Sequence, residues 1–567
     1  MAAPPAGSFF SRLNPVPTFP TYTGPHKVGT VDVEFPVSEL KSPSPAPEGT
    51  SDIPTVQFRI FYPCTSESSG KAIPWLPSPQ RLHVAAYAQF LGAGSLLASA
   101  LSFLPRHLHY SSIPVHKNAT VLRPPPESPA RWPTIVFSHG LGGNRNAYSH
   151  LAGSLASHGV IVVCPEHRDG SAAVSLVRDP KSQHRRNTRQ VPYRSLSHVP
   201  TRETWGARDK QIRIRLWELG LGFEAVSEID SGNKRLIQSN MNKSTPEPAL
   251  SQLAGLLDVK EPGRTIFAGH SFGAASIVQL LKSTYYADRP EITAMTEPFF
   301  TPAMDSSIRK QIAERSPTMC LDLWCMPLLS STADPLFKLP LPVYADTPSA
   351  PGGKALLAIE SDHFFQWREN LDTKARIFSP RPSDPVVTAA TFERPGSRGR
   401  FPEPTFFYVK NSAHLNQSDF GILFPWLTKR VFGAEQPERC LRLNTRAQLQ
   451  FLRNNGYNVA PTSACDLVDG GGADMGAKGG FEDDKAILDP NGVVDSWGWV
   501  KVLGLGPKGG PTELERRAGT RKESEERRAE EAEQEMEGEM EPSRGKPGGE
   551  EKVVEAAGGA VKKGTEV

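Results

Sequence analysis

The spacing of hydrophobic positions changes along the chain, from simple alternation near the start to repeated strand-then-helix units further on. Residues 27–35 and 56–63 carry apolar side chains two apart, which is typical of half-buried strands. From Pro133 onwards, short continuous apolar runs alternate with helical periodicity, as expected for parallel strands covered on both faces. The later predicted strands are 134–137, 159–164, 265–268, 318–323, 355–360 and 404–409, and the predicted helices are 147–157, 208–229 and 274–281. This order predicts an α/β fold with a mostly parallel central sheet.

One segment, residues 84–104, carries no charged side chain and approaches the length of a membrane span. Gln89, Gly92 and Gly94 interrupt it, and such polar and flexible interruptions weaken insertion into a bilayer. We therefore expect an amphipathic or buried helix pair here rather than a transmembrane helix.

Three polar, basic or Pro-rich stretches break the strand-then-helix pattern and are predicted to be insertions. They are residues 171–207, 232–262 and 376–404. From about residue 504 the chain consists largely of Glu, Arg, Lys and Gly with hardly an aromatic residue, which predicts disorder. The predicted organisation is an extended or disordered N-terminus (1–24), an α/β domain (25–435), a C-terminal extension (436–503) and a disordered charged tail (504–567).

The composition narrows the class of protein. The 567 residues carry a net charge of +3, which gives no strong attraction to nucleic acid, and we expect no nucleic-acid partner. The six cysteines are scattered, with no C-x-x-C and no metal-finger spacing, so we expect buried free thiols. Residues 1–5 do not begin a basic and then apolar leader, so no secretory signal is expected. Together these features favour a cytoplasmic protein.

The pentapeptide Gly269-His270-Ser271-Phe272-Gly273 carries the most specific chemistry in the chain. It follows an apolar run and precedes a helical pattern, which is the strand, G-x-S-x-G, helix context of a nucleophile elbow. Two glycines allow the sharp turn that exposes the serine hydroxyl. Ser271 is therefore the predicted nucleophile of a serine hydrolase, and the fold is predicted to be an α/β-hydrolase fold.

Such a nucleophile requires amide donors for the oxyanion that forms during acyl transfer. The loop 138–143 is rich in glycine and directly follows the predicted strand 134–137. One donor in this fold class comes from such a loop and the other from the residue after the nucleophile. The backbone N–H groups of Leu141 and Phe272 are the predicted donors.

A base and an acid must follow the nucleophile along the chain. His414 lies just past the last predicted strand and is the predicted base, with His363 as its rival. His270 adjoins the nucleophile, but we expect its side chain to point away and to serve the structure. Asp322 and Asp362 each end a strand after the elbow, and the residues alone do not separate them as the acid.

An ordered set of motifs resembles the platelet-activating factor acetylhydrolases, the calcium-independent group of lipoprotein-associated phospholipases A2 and their intracellular relatives. These motifs are Phe137-Ser138-His139-Gly140-Leu141-Gly142, Leu155-Ala156-Ser157-His158-Gly159, Glu166-His167-Arg168-Asp169, Gly269 to Ala275 and Leu321-Asp322-Leu323-Trp324. The resemblance covers about residues 25–435. It implies hydrolysis of an acetyl, short or oxidised acyl ester at the sn-2 position of a phospholipid, with no metal or organic cofactor. It also favours Asp322 as the acid.

The resemblance further implies an interface-binding helix before the oxyanion loop, at about residues 94–109. The candidate lipid-facing residues are Leu96, Leu97, Leu101, Phe103 and Leu104. A helix with such an apolar face suits peripheral contact with a membrane surface, although packing against the core explains the same pattern. Two alternative functions share the fold: a general carboxylesterase or thioesterase with the same three residues, and a non-catalytic scaffold acting through its charged tail.

Overall fold

The computed structural model describes residues 16–101, 106–127, 129–182, 188–396, 398–433, 435–468 and 480–503. The predicted disordered tail 504–567 and most of the predicted N-terminal segment 1–24 lie outside these residues.

Sixteen β-strands are formed within the described residues, ten of them in one sheet. They are β1 (Lys27–Pro36), β2 (Thr55–Cys64), β3 (Ile73–Pro74), β4 (Ser112–Ile113), β5 (His116–Lys117), β6 (Thr134–Ser138), β7 (Ile161–Pro165), β8 (Val174–Arg178), β9 (Thr188–Pro192), β10 (Ile266–His270), β11 (Thr318–Leu321), β12 (Leu356–Ser361), β13 (Thr405–Val409), β14 (Thr462–Ser463), β15 (Gly480–Phe481) and β16 (Trp497–Trp499).

Seventeen α-helices lie in the same described ranges. They are α1 (Gln80–Phe90), α2 (Ser95–Leu101), α3 (Arg106–Tyr110), α4 (Ser149–Ser157), α5 (Arg202–Ser231), α6 (Lys234–Gln238), α7 (Glu247–Ser251), α8 (Phe272–Tyr285), α9 (Pro290–Thr293), α10 (Ser307–Gln311), α11 (Asp334–Phe337), α12 (Asp362–Gln366), α13 (Arg368–Ile377), α14 (Asp419–Leu423), α15 (Pro425–Phe432), α16 (Pro437–Asn454) and α17 (Lys485–Leu488).

The central sheet has the strand order β16-β13-β12-β11-β10-β6-β7-β2-β1-β5. Its middle six strands, from β13 to β7, run parallel, whereas β2 pairs antiparallel with both β7 and β1. The predicted α/β class with a mostly parallel sheet is therefore confirmed. The carboxyl ends of the neighbouring strands β6, β10 and β11 meet at one edge of the sheet, which is where ligands bind in folds of this class.

Helices cover both faces of the sheet, and an apolar layer is buried between the sheet and the helices on each face. On one face, Leu216 of α5 and Leu280 of α8 pack with Phe267 of β10, all fully buried. On the other face, Leu155 of α4 and Leu449 of α16 pack in a separate cluster. Burial on both faces explains why the parallel strands read as continuous apolar runs in the sequence.

The described part of the uncharged segment 84–104, residues 84–101, forms two helices rather than one long helix, as predicted. Helices α1 and α2 meet at Gly92 and Gly94, where the backbone turns. Within the described residues, no helix has the length and apolar character needed to cross a membrane.

The insertion 171–207, which reads as irregular in the sequence, contains the antiparallel pair β8–β9 and the first turn of α5. The hairpin escapes pattern analysis because β9 is largely exposed and shows no apolar alternation. Two of the elements described in 436–503 complete the sheet: α16 covers one face, and β16 pairs antiparallel with β13 at the edge.

Candidate active site

Ser271 lies at a strained turn between β10 and α8. Its backbone has φ 55° and ψ −122°, a conformation that L-residues rarely adopt. The strained residue persists because its surroundings are packed on both sides, and its N–H donates to the Leu321 carbonyl at 2.9 Å. This is the geometry that presents a serine hydroxyl at the end of a strand.

The two glycines of the pentapeptide are needed for space. A Cβ atom at Gly269 would lie 2.5 Å from the carbonyl carbon of Gly273. A Cβ atom at Gly273 would lie 2.1 Å from the carbonyl oxygen of Ser138 on β6. Since these neighbours are backbone atoms, no side chain can move aside, and only glycine fits at either position.

Asp322 and His414 meet beside the elbow. The Nδ1 atom of His414 lies 2.9 Å from Oδ2 of Asp322. The other carboxylate oxygen of Asp322, Oδ1, accepts the backbone N–H of Ser361 at 2.5 Å. Asp322 is fully buried and follows β11 with φ 42°, so its orientation is fixed by main chain and side chain together.

The pKa of Asp322 is held below its usual range. Burial on its own would raise this pKa, but the hydrogen bond with His414 and the imidazole of His270, whose Nε2 lies 3.9 Å away, outweigh it. Asp322 is therefore a carboxylate at any pH near neutrality, which is the state needed to orient an imidazole through its Nδ1–H group.

The imidazole of His414 is also held by aromatic packing. It follows β13 in a short 3₁₀ turn, and its ring stacks on Phe364 with centroids 4.3 Å apart and planes 7° apart. Its side chain keeps 28% of its surface exposed, so one edge of the ring remains accessible to a reactant.

The glycine-rich loop after β6 leaves one amide available. Gly142 donates its N–H to the Ser171 carbonyl at 2.7 Å, and Gly140 donates to the Tyr148 hydroxyl at 3.1 Å. The N–H of Leu141, between them, forms no hydrogen bond among the described residues. Phe272 begins α8, where helix geometry leaves the first N–H groups without an intrahelical acceptor. Both predicted oxyanion donors therefore have unoccupied N–H groups in the part of the chain that is described.

Arg215, a fully buried residue of α5, holds the two donor segments together. Its guanidinium donates to the His139 carbonyl at 2.8 Å and to Ser171 Oγ at 2.6 Å, and its charge is paired with Asp169 at 3.0 Å. It also lies 4.5 Å from the centroid of the Phe272 ring, within cation–π distance. One guanidinium thus contacts both sides of the predicted oxyanion hole.

Arg215→Met should lower the free energy of unfolding by about 3–5 kcal/mol, because it leaves Asp169 buried without its cation. Lys210→Met on the same helix is the control, since Lys210 and its partner Glu48 are both exposed and its loss should cost no more than about 1 kcal/mol. Urea denaturation of both variants measures the difference. Equal destabilisation would contradict the assignment of Arg215 as the buried anchor of this region.

The alternative acid, Asp362, and the alternative base, His363, make other contacts. Asp362 accepts the N–H of Asn411 at 2.7 Å and a side-chain N–H of Gln366 at 2.8 Å, so it supports the turn that leads to His414. His363 lies on α12, and it is not a member of the cluster of His270, Asp322 and His414 found among the described residues.

The candidate lipid-facing residues are only partly described. Leu97 on α2 is 57% exposed, and the backbones of Leu96 and Leu101 belong to the same helix. Phe103 and Leu104 lie outside the described residues.

His270, Asp322 and His414 also form the one group of side chains in the described ranges with the spacing to hold a metal ion. Their potential ligand atoms lie within 4.8 Å of one another. Two imidazoles and one carboxylate suit zinc rather than calcium, which takes oxygen ligands. In this structure, however, Nδ1 of His414 is at hydrogen-bond distance from Asp322, and Nδ1 of His270 is at hydrogen-bond distance from Tyr148.

Several side chains at the site were not assigned a role from the sequence. Phe364 lies among polar and aromatic residues, Arg215 in a helical pattern and Tyr148 at a helix start, and nothing in their spacing marks them. His270 did carry a signal, because it adjoins the nucleophile. The centroid of its ring lies 4.3 Å from that of His414.

Comparison with known proteins identifies relatives. The family model described as platelet-activating factor acetylhydrolase, isoform II, matches residues 13–337, a range that contains Ser271 and Asp322. His414 lies beyond that range, so its place in the site rests on geometry.

Among curated proteins, a putative phospholipase A2 of Schizosaccharomyces pombe is 27% identical over 448 residues, covering 77% of this chain and 92% of that protein. A platelet-activating factor acetylhydrolase of Cavia porcellus is 29% identical over 266 residues, covering 47% of this chain and 52% of that protein. The protein of that name from Canis lupus familiaris is 24% identical, covering 77% of each chain. Among solved structures, a ferulic acid esterase from Streptomyces cinnamoneus aligns with a TM-score of 0.39 at 15% identity, covering 77% of this chain and 92% of that one.

Proposed function

This chain belongs to the platelet-activating factor acetylhydrolase isoform II family, and on that premise we propose that it is a serine-dependent, calcium-independent esterase that hydrolyses the sn-2 acetyl or short acyl ester of phospholipids. The observation that supports this most directly is the 2.9 Å separation between His414 Nδ1 and Asp322 Oδ2 beside the strained elbow at Ser271. The relatives named as acetylhydrolases and as a phospholipase A2 support the class of substrate.

In the proposed mechanism, Ser271 Oγ attacks the ester carbonyl carbon while His414 Nε2 removes its proton. Asp322 keeps the opposite nitrogen of His414 protonated and stabilises the imidazolium that forms. The N–H groups of Leu141 and Phe272 hold the tetrahedral oxyanion. His414 then protonates the departing lysophospholipid oxygen, and water activated by His414 releases the short acid from Ser271.

The glycerophospholipid substrate is expected at an interface. Leu97 on α2 is an exposed apolar side chain in the segment that leads to the oxyanion loop, which supports shallow, peripheral contact with a membrane. A cytoplasmic location is part of the same proposal. It is supported by the cysteines, because all six are free thiols and Cys64, Cys164, Cys320, Cys325 and Cys440 are buried.

A panel of esters tests the proposed substrate class. Purified protein should hydrolyse a phosphatidylcholine with an sn-2 acetyl chain at least about 10-fold faster, in kcat/KM, than a long-chain phosphatidylcholine, because the proposed specificity requires that a long sn-2 chain is bound less well beside Ser271. Activity in EDTA should equal that in calcium. The same assay with substrate as monomers and in vesicles measures the interfacial contribution.

The panel separates this proposal from its rivals. A soluble aryl ester or thioester hydrolysed far better than any phospholipid would indicate a general carboxylesterase or thioesterase. Loss of activity in EDTA, restored by calcium, would contradict calcium independence. A fluorophosphonate probe that fails to label Ser271 in protein without activity would favour the non-catalytic scaffold.

A further inference from the structure

A single hydroxyl group connects the oxyanion loop with the histidine beside the nucleophile. The N–H of Gly140 donates to Oη of Tyr148 at 3.1 Å, and the same Oη lies 2.7 Å from Nδ1 of His270. A tyrosine hydroxyl has one proton. The Gly140 N–H occupies one acceptor site on the oxygen. Because the Asp322 carboxylate near the other ring nitrogen can only accept, the His270 proton is assigned to Nε2 and the Tyr148 proton to the contact with Nδ1.

The contacts with Tyr148 and Asp322 together determine the tautomer of His270. Burial, followed by repulsion from His414, lowers the pKa of His270 to about 4, so its ring is neutral near pH 7. Since Nδ1 accepts a hydrogen bond, the ring proton resides on Nε2. Nε2 lies 3.9 Å from Asp322 Oδ2, the same oxygen that faces His414 at 2.9 Å, and it has no closer partner among the described residues.

We propose that Tyr148 and His270 are positioning residues that join the oxyanion loop to the acid through the contacts Gly140–Tyr148–His270–Asp322. The inference rests on the proposed function. In it, the Nε2–H group of His270 is a second donor directed at the Asp322 carboxylate, which stabilises the ionised acid and orients it toward His414. Tyr148 keeps that donor in its tautomer and ties it to the loop that carries the Leu141 N–H.

The titratable groups around the acid come from four elements. His270 faces it from β10, His414 from the turn after β13, Glu360 from β12 and Cys440 from α16. Glu360 is itself paired with Lys374 of α13, and both are fully buried. The His270 donor is therefore one of a small set of groups that determine how strongly Asp322 holds the proton shared with His414.

Two substitutions of His270 distinguish its contact with Tyr148 from its contact with Asp322. In His270→Asn the amide oxygen comes near the position of Nδ1, so it can accept from Tyr148, but no donor reaches Asp322. In His270→Gln the amide nitrogen comes near the position of Nε2, so it can donate to Asp322, but the contact with Tyr148 is lost. Tyr148→Phe removes the hydroxyl and keeps the aromatic ring, whose centroid lies 4.9 Å from that of Phe137.

Each variant is assayed for kcat, KM and the pH profile of kcat/KM, with active sites counted by a fluorophosphonate probe. His270→Asn should lower kcat about 10- to 100-fold with KM changed less than about 2-fold, the range typical when a group that orients a functional ligand is lost. Its acid limb should move to higher pH, because an acid that loses a donor becomes a stronger base and holds the shared proton more tightly. His270→Gln should keep kcat within about 5-fold of the wild-type value and leave the acid limb of the pH profile at the wild-type pH. The kcat of Tyr148→Phe should lie between those of the two His270 variants.

Equal losses in His270→Asn and His270→Gln with an unmoved acid limb would overturn the inference, because they indicate packing alone. Unchanged kcat in all variants would overturn it as well. If Tyr148→Phe does not fold, the comparison of His270→Asn with His270→Gln tests the inference on its own. Wild-type protein that hydrolyses no ester and takes up no probe would instead overturn the proposed function, so the two failures are distinguishable.

Discussion

Ser271→Ala is expected to lower kcat/KM for the short-chain phospholipid by about 10⁴-fold or more, since loss of a nucleophile removes the covalent pathway and leaves only the contribution of binding and the oxyanion donors. The fold should persist. Alanine tolerates the strained turn as well as serine does, because the constraint at φ 55° arises at the Cβ atom that both residues carry. Initial rates, circular dichroism and probe labelling measure these effects.

Ser283→Ala on the same helix is the matched control. Ser283 is buried on α8, toward the end of the helix remote from the elbow, so its loss should leave kcat/KM within about 2-fold of the wild-type value. Full activity and full labelling of Ser271→Ala would exclude Ser271 as the nucleophile.

Asp322→Asn should reduce kcat by about 10³- to 10⁴-fold, the size of effect seen when an asparagine leaves an imidazole in the wrong tautomer. The Asn oxygen would continue to accept the Ser361 N–H, so its NH₂ group would face His414 Nδ1, where a hydrogen-bond acceptor is needed. His414 would then carry its proton on Nε2 and could not accept one from Ser271. Rates at saturating substrate measure the loss.

Asp362→Asn is the matched comparison, because the residues alone do not separate Asp362 from Asp322 as the acid. Its carboxylate bonds the N–H of Asn411 rather than an imidazole, so the substitution should reduce kcat less than about 10-fold through the turn that carries His414. A larger loss in Asp362→Asn than in Asp322→Asn would reverse the assignment of the acid.

The parallel strands were predictable because they are buried on both faces. The runs 134–137, 159–164 and 404–409 correspond to β6, β7 and β13 with end shifts of two residues or fewer. The largely exposed strand β9 and the three-residue strand β16 were not predictable. Their pairing is determined by distant partners, and their own side chains carry no period that a single sequence reveals.

The candidate site likewise contains residues that the sequence predicts and residues that it does not. Ser271, the glycine-rich loop and the two candidate acids could be named from spacing, because a strand followed at once by a functional residue puts that residue at the edge of the sheet. The choice between Asp322 and Asp362 could not be made from the residues alone. It depends on the backbone turn after β11, where Asp322 adopts φ 42°.

Buried polar partners are the least predictable part of the site. Arg215 reads as one charged residue among several on a 30-residue helix, and Tyr148 as an ordinary aromatic before a helix. Each is recognised only when the tertiary structure brings it against a backbone carbonyl or amide, since a hydrogen bond across 76 or 8 residues has no sequence period.

The antiparallel strand β16 also has a consequence for the integrity of the sheet. It pairs with β13 through Trp499, Gly498 and Trp497, and Trp497 stacks on Phe407 with centroids 5.0 Å apart. A chain ending near residue 436 would leave β13 with unpaired N–H and C=O groups and an uncovered aromatic row. Such an open edge recruits strands from other molecules. Residues 497–499 replace that edge with a strand of three residues, and a short edge strand offers fewer unpaired groups to another molecule, beside the strand that carries His414 to its place.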